Sequence, residues 1–215
     1  MKKIVFVGGG GFFLELFEYI VSDINNGTLS ELEIKGFLSD FEDTDREYCH
    51  FLGKVDNYQP NDDDVFVIAI GNVLARKRIF EKLKARGAVF LTYIHPSSQV
   101  FHRTLVGEGV IICPNVIINA YAVIEENACI NVFSSVGHEA VVGKHSVLSP
   151  YTSLSGKSVL GSGCFVGSRV TLFPSVVIGD ECTIDAHTVV KSSVENRQIL
   201  SEKRTFVSLK NRFLR

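Results

Sequence analysis

An unbroken period of six residues runs through the second half of the chain. From Val106 to Val190 every sixth residue is aliphatic, and the residue two positions before each of these is small or β-branched. A period of six fits neither the 3.6-residue turn of a helix nor the two-residue repeat of a strand. It predicts short strands joined by tight corners, with three hexads closing one triangular coil and nearly five coils without an insertion.

Glycine often follows the aliphatic residue of a hexad. We expect it there because a tight corner requires backbone angles that other residues adopt less readily. The glycines at this position are Gly107, Gly137, Gly143, Gly161, Gly167 and Gly179.

The first hundred residues have the pattern of an α/β unit. The apolar segment KKIVFV leads into a glycine loop and then into a helix with apolar residues at three- and four-residue spacing. Two more strand segments, EIKGFLSD and DVFVIAIGN, follow, and a second helix is expected from about Leu74 to Arg86. We therefore predict a Rossmann-like domain at residues 1–93, an all-β prism at 94–192 and a C-terminal tail at 193–215.

The glycine loop at residues 8–11 allows two interpretations. Phe13 stands where the third small residue of a dinucleotide fingerprint would be, and no acidic residue ends the second strand at the usual spacing, so bound NAD is not expected. There is also no G-x-x-x-x-G-K segment for ATP chemistry. The glycines either make a tight turn or expose backbone amides to the phosphates or sugar of a ligand.

Composition excludes several classes of protein. A formal charge of −2 argues against binding to nucleic acid. Five cysteines form no C-x-x-C pair, so we expect neither a disulfide framework nor a metal site, and a reducing cytoplasm fits best. No run of 18 apolar residues is present, so no membrane span is expected.

Residues 106–190 resemble the hexapeptide repeat of left-handed parallel β-helix acyltransferases. With the preceding α/β unit and the connector YIHPSSQV, the chain resembles the group of sialic-acid O-acetyltransferases and bacillosamine-pathway N-acetyltransferases. IGNVLARKRIF is similar to that group's I-G-N-x-x-x-R segment, and GFLSD to its G-F-[aliphatic]-D-D segment, with Ser39 in place of the first acid. The resemblance implies that a nucleotide-linked sugar is bound by Gly8, Gly10, Asp40, Gly71 and Asn72. In this arrangement Asp40 would accept the imide N–H of a pyrimidine base, which a guanine also offers.

The segment INVFSSVGHEAVVG places His138 two residues after the inward Val136, so its ring should point out of the prism. A histidine there is either a solvated corner residue or a catalytic base. The segment resembles the family's I-N-x-S-S-V-x-x-H-[ED]-x-x-[IV]-G, which carries the catalytic histidine. The resemblance implies a catalytic group of His138, Glu139 and Asn131, with Glu139 orienting the imidazole.

The resemblance also implies that acetyl-CoA is the acyl donor. It places Gly156, one coil after His138, and Ala186 beside acetyl-CoA, with the Gly156 N–H stabilising the thioester oxygen. Acetyl-CoA would lie between neighbouring prisms of a homotrimer. The chain departs from the family at Val147, where some relatives have a second histidine, and in its C-terminal segment. His145 and His187 are expected to be solvated.

We therefore predict a cytoplasmic, acetyl-CoA-dependent N-acetyltransferase for a nucleotide-linked amino sugar used in surface glycans. A UDP- or dTDP-4-amino-4,6-dideoxyhexose is the expected acceptor. Two alternatives stay open: a sugar O-acetyltransferase of the same fold, since one base serves either nucleophile, and a non-catalytic trimeric binder of sugar nucleotides.

Overall fold

The computed structural model describes residues 1–41 and 48–202, and its N-terminal part is a parallel sheet between two helices. The strands β1 (Lys2–Val7), β2 (Leu32–Leu38), β3 (Phe51–Gly53) and β4 (Asp64–Ile68) lie in the order β3-β2-β1-β4. The helices are α1 (Gly11–Asn25) and α2 (Val73–Lys84). Alternate residues of β1 point to opposite sides, so Ile4 and Phe6 pack with α1, whereas Val5 and Val7 pack with α2.

The rest of the described chain is a parallel β-helix of about six coils, built from two-residue strands. These strands are β5 (Tyr93–Ile94), β6 (Gln99–Val100), β7 (Leu105–Val106), β8 (Ile111–Ile112), β9 (Ile117–Ile118), β10 (Val123–Ile124), β11 (Cys129–Ile130), β12 (Ser135–Val136), β13 (Val141–Val142), β14 (Val147–Leu148), β15 (Ser153–Leu154), β16 (Val159–Leu160), β17 (Phe165–Val166), β18 (Thr171–Leu172), β19 (Val177–Ile178), β20 (Thr183–Ile184), β21 (Val189–Val190) and β22 (Ile199–Leu200).

The strands form three flat faces of a triangular prism. We call the sheet from β5 to β22 the docked face, the sheet from β6 to β21 the second face and the sheet from β7 to β19 the third face. Residues eighteen apart are paired, as in Val136 with Leu154. The second residue of nearly every strand is buried inside the prism, so the aliphatic series of the sequence forms its core, as expected.

The corners correct our expectation for the glycines that follow the aliphatic residues. The corner residues with positive φ lie two positions further on, and most are not glycine; Tyr121, Glu139 and Lys157 have φ of 62°, 59° and 60°. The glycines are needed for space instead. A Cβ on Gly137 would lie 2.5 Å from the backbone nitrogen of Gly156 in the next coil. Glycine therefore allows adjacent coils to approach closely at these corners.

The α/β unit packs on the docked face. Outward-pointing Ile111, Cys129 and Val147 are buried in one apolar cluster with Phe17 and Ile20 of α1. This contact explains why the first residues of these strands are apolar although they point out of the prism. Farther along the same row, beyond Val147, the docked face is more exposed.

The domain boundaries differ slightly from those predicted. Tyr93, placed at the end of the α/β domain, lies in the first strand of the prism and pairs with Ile111. The tail predicted from residue 193 starts inside the solenoid, because β22 pairs with β20 and Val194 bridges to Ile178. Residues 203–215 of that tail lie outside the described residues. Within the described chain, no helix is long and apolar enough to cross a bilayer.

Candidate active site

His138 lies at the corner where the second face meets the third face, and its side chain points into solvent. The side chains of His138 and Glu139 are 62% and 50% exposed, and Nδ1 of His138 lies 3.0 Å from Oε1 of Glu139. An ionised carboxylate can only accept hydrogen bonds, so this contact assigns the proton to Nδ1. The lone pair of Nε2 is then free to accept a proton.

Gly156 lies directly below the imidazole, one coil further along the prism. A Cβ on Gly156 would lie 2.4 Å from Nε2 of His138, so any side chain there would displace the ring. Within the described part of the chain, no acceptor is in hydrogen-bond range of the Gly156 N–H. A lone pair on Nε2 and a free backbone donor are therefore neighbours, which suits a reaction that moves a proton and builds charge on oxygen.

A second site lies at the carboxyl ends of β1, β2 and β4 in the α/β unit. The glycine loop, Asp40, Gly71 and Asn72 line a pocket of about 890 Å³. Gly8 has a φ of 109°, and a Cβ there would lie 2.8 Å from the carbonyl oxygen of Ala69, so glycine is required for the turn. Gly10 caps α1 and has open space beside it, so the amides at the start of α1 can approach a ligand.

Asp40 and Asn72, two of the polar residues that line this pocket, also hold the backbone in place. Oδ1 of Asp40 accepts a hydrogen bond from the Val55 N–H at 3.1 Å. Oδ1 of Asn72 accepts one from the Ala75 N–H at 2.9 Å and caps α2. Within the described ranges, the second carboxylate oxygen of Asp40 and the amide nitrogen of Asn72 have no hydrogen-bond partner.

The two sites lie on opposite sides of one chain. The α/β unit covers the docked face, whereas the corner that carries His138 is the one opposite this face. The glycine-loop pocket and the His138 corner therefore belong to different sides of the prism in one chain.

Comparisons with known proteins agree with this architecture. The family model described as PglD N-terminal domain matches residues 3–83. A GDP-perosamine N-acetyltransferase from Escherichia coli O157:H7 is 30% identical over 141 residues, which cover 63% of this chain and 53% of that protein. A UDP-N-acetylbacillosamine N-acetyltransferase from Bacillus subtilis (strain 168) is 42% identical over 50 residues, 23% of either chain. The chain thus spans about half the length of the first relative and a quarter of the second.

Solved structures share the fold over nearly the whole chain. The acetyltransferase domain of PglB from Neisseria gonorrhoeae FA1090 has a TM-score of 0.83 at 21% identity, covering 93% of this chain and 96% of that one. PerB from Caulobacter crescentus, solved with CoA and GDP-perosamine, has a TM-score of 0.82 at 23% identity and covers 93% of each chain.

The predicted resemblance of the chain to the bacillosamine-pathway N-acetyltransferase group of hexapeptide-repeat proteins is confirmed by these matches. The predicted fold, a Rossmann-like α/β domain followed by a left-handed parallel β-helix, is confirmed.

Not all residues that the family resemblance suggested lie together. His138, Glu139 and Gly156 share one corner. Asn131 and Ala186 lie at a different corner, between the docked face and the second face. Nδ2 of Asn131 donates to the carbonyl of Leu148 at 3.1 Å, so part of this side chain joins neighbouring coils. Within one chain, neither Asn131 nor Ala186 contacts the His138 ring.

Arg76 connects the two domains. It is the last residue of the I-G-N-x-x-x-R segment, but no role for it was predicted from the sequence. It is fully buried. Its guanidinium donates to the carbonyls of Ile68, at the end of β4, and Asn127, in the prism, at 2.6 and 2.8 Å. Arg76 thereby ties the segment that leads into the Gly71–Asn72 loop to the solenoid. Its position on the apolar stripe of α2, at helical spacing with Val73, was the available signal.

His145 corrects the expectation of a solvated histidine. Only 6% of this residue is exposed, and its ring lies edge-on to Phe80 of α2 with Nδ1 2.9 Å from Nδ2 of Asn127. Burial lowers the pKa of His145 below its usual value. His187 is exposed, as expected. Among the described residues no group of three or more His, Cys, Asp or Glu side chains is arranged to hold a metal ion.

Proposed function

We propose that this protein is an acetyl-CoA-dependent N-acetyltransferase that acts on a nucleotide-linked amino sugar. The observation that carries the proposal is the His138 corner, where Glu139 holds Nδ1 and Nε2 lies beside Gly156, whose N–H has no acceptor among the described residues. The names of the E. coli and B. subtilis relatives, both sugar N-acetyltransferases, support it. So does a PglB acetyltransferase-domain structure that contains acetyl coenzyme A.

In the proposed reaction Nε2 of His138 acts as a general base. It takes a proton from the sugar amine as the nitrogen lone pair bonds to the carbonyl carbon of the acetyl thioester. The Gly156 N–H donates to the oxygen, which gains negative charge in the tetrahedral intermediate. The C–S bond then breaks, and the imidazolium returns the proton to the departing thiolate, which leaves as CoA. Glu139 keeps the ring in the required tautomer and stabilises the imidazolium.

The glycine-loop pocket is the proposed site of the nucleotide. Backbone amides at the start of α1 suit the diphosphate, and the second carboxylate oxygen of Asp40 can accept the imide N–H of a base. A UDP- or dTDP-4-amino-4,6-dideoxyhexose used for surface glycans remains our proposed acceptor, and we propose that the protein acts in the cytoplasm. Since the E. coli relative is named for a GDP sugar and guanine also offers an imide N–H, GDP is the alternative that an assay must decide.

We propose that the protein is a homotrimer, and the positions of the two sites support assembly of several copies. The nucleotide pocket and His138 lie on opposite sides of one chain, so a second copy that brings its His138 corner to the pocket or to the Ala186 corner would complete the proposed site. The outward row of the third face is entirely aliphatic and partly exposed, which suits packing against another prism. This row consists of Leu105, Val123, Val141, Val159 and Val177.

The proposal is tested by thiol release from acetyl-CoA with a panel of UDP-, dTDP- and GDP-linked amino sugars and their hydroxyl analogues. We expect CoA release with at least one amino sugar and mass-spectrometric detection of its N-acetyl product. Transfer only to a hydroxyl analogue would make the protein an O-acetyltransferase. Tight binding of a sugar nucleotide without any CoA release, across the panel, would instead support a non-catalytic binder.

A further inference from the structure

Glu139 has a second charged neighbour besides His138. Lys157 follows Glu139 by one coil, and its Nζ lies 3.8 Å from Oε2 of Glu139, the oxygen that does not contact His138. Both residues have the positive φ of the corner position, at 59° and 60°, so their side chains leave the prism from stacked, equivalent sites. The carboxylate is therefore held between an imidazole on one oxygen and an ammonium group on the other.

The backbone of Lys157 is tied to the same corner. Its N–H donates to the carbonyl of His138 at 2.9 Å, and it directly follows Gly156. The register of the prism fixes this arrangement, since residues eighteen apart stack on each other. Lys157 is consequently placed next to Glu139 by the fold itself.

We propose that Lys157 is a positioning residue for the general base, acting through Glu139. This inference rests on the proposed acetyltransferase function. By holding Oε2, Lys157 limits rotation of the carboxylate and keeps Oε1 on Nδ1 of His138. By pairing with the carboxylate, Lys157 also weakens the attraction of Glu139 for an imidazolium, so removal of its charge should strengthen that attraction.

The fold supplies a matched control at the next corner. Lys144 forms an ion pair with Glu126, one coil away, at 2.9 Å, and this pair is about as exposed as the Lys157–Glu139 pair. It lies at the corner between the third face and the docked face, which is a different corner from that of His138. Lys144→Met thus removes a lysine and a corner ion pair of the same kind without touching the proposed base. Lys157→Met keeps much of the length of the lysine side chain but removes its charge, and Lys157→Arg keeps the charge.

The experiment measures kcat, the KM for acetyl-CoA and the pH–rate profile of the full chain with the acceptor found above. For Lys157→Met we expect kcat to fall about two- to fivefold, the range for an exposed ion pair. The KM for acetyl-CoA should not change, and the acidic limb should move to higher pH. Lys157→Arg should restore both readouts, and Lys144→Met should match the wild type.

A double-mutant cycle separates action through Glu139 from other roles. In a Glu139→Gln background, Lys157→Met should have no further effect on kcat or on the acidic limb. An unchanged limb in Lys157→Met, or equal effects of Lys157→Met and Lys144→Met, would overturn the inference while leaving the acetyltransferase proposal intact. A raised KM for acetyl-CoA in both backgrounds would do the same and would make Lys157 a donor-binding residue. A wild-type protein that transfers no acetyl group would overturn both proposals.

Discussion

At the scale of single residues, Gly156 determines where the imidazole of His138 can lie. The ring rests over the space that a side chain at residue 156 would fill, with Nε2 closest to it. The imidazole is the mobile partner of this contact, because it is attached to an exposed corner, whereas the Gly156 backbone is part of the prism.

We therefore expect Gly156→Ala to fold normally and to lose activity. The added methyl group pushes the ring away from the Gly156 N–H, and a displacement of about 1 Å can cost on the order of 10²-fold in rate. Steady-state kinetics and a thermal melt test this. In a His138→Ala background the same change should have no further effect on kcat. A Gly156→Ala protein with wild-type kcat would show that the ring position over Gly156 is not the reactive one.

Asp40 is predicted to act on the sugar nucleotide alone. Asp40→Ala should raise the KM for the sugar far more than the KM for acetyl-CoA, because the lost contact is remote from the reacting atoms. Asp63→Ala is a suitable control, since Asp63 is a carboxylate of the same domain that pairs with Lys3 outside the pocket. If the sugar KM did not change in Asp40→Ala, the nucleotide would have to bind elsewhere.

At the scale of secondary-structure elements, the interface between α2 and the prism contains buried polar groups. Asn127 contacts His145 through its amide nitrogen, and its Oδ1 is buried without a hydrogen-bond partner among the described residues. Arg76 and Phe80 of α2 contact the same pair of corner residues. The interface is consequently sensitive to the protonation of His145.

The pKa of His145 is lowered by burial, with smaller effects from the charges of Glu126, Glu81, Lys77 and Arg76 around it. The unfolded chain binds a proton at this residue below about pH 6.5, before the folded chain does. His145 therefore contributes to stability fully above that pH, and the contribution is lost as the pH falls toward the lower folded pKa. We expect the melting temperature of the wild-type protein to fall as the pH is lowered from about 6.5 toward the pKa of His145 in the folded chain.

The comparison that isolates this effect uses two glutamine variants. In His145→Gln the part of the pH dependence due to this histidine should disappear, although the protein is less stable at neutral pH. His187→Gln changes an exposed histidine at an equivalent corner position, with a φ of 64°, and should keep the wild-type pH dependence. Parallel pH curves for the wild type and His145→Gln would contradict the account.

Features set by the six-residue repeat could be predicted from the sequence, whereas features set by contacts between the two domains could not. The outward position of His138 follows from counting residues from Val136, because the prism repeats with one period. The burial of His145 does not follow from that count, since it depends on where α2 docks. Arg76 was missed for the same reason: its acceptors Ile68 and Asn127 come from two separate domains.

At the scale of the whole molecule, one chain holds the two candidate sites on opposite sides of the prism. The α/β unit covers the docked face, and the second and third faces remain open in the single chain. The outward row of the third face, from Leu105 to Val177, is aliphatic along its length. A single copy would expose this apolar surface and leave the proposed site incomplete.

We expect a trimer of the 23.8 kDa chain in solution. Equilibrium sedimentation at micromolar concentration is the measurement, and Val141→Glu, in the middle of the aliphatic row, should weaken assembly and activity together, because it buries a charge at the interface. A wild-type monomer of about 24 kDa that transfers acetyl groups at full rate would contradict the proposal.

The central proposal is that His138 is the general base, and His138→Ala tests it most directly. The side chain is exposed and supports no core packing, so the variant should keep its melting temperature and its affinity for acetyl-CoA. Its kcat on the true acceptor should fall by about 10²- to 10⁴-fold, and the acidic limb of the wild-type pH–rate profile should vanish. If the variant kept more than roughly a tenth of the wild-type kcat with an unchanged acidic limb, another residue would have to be the base.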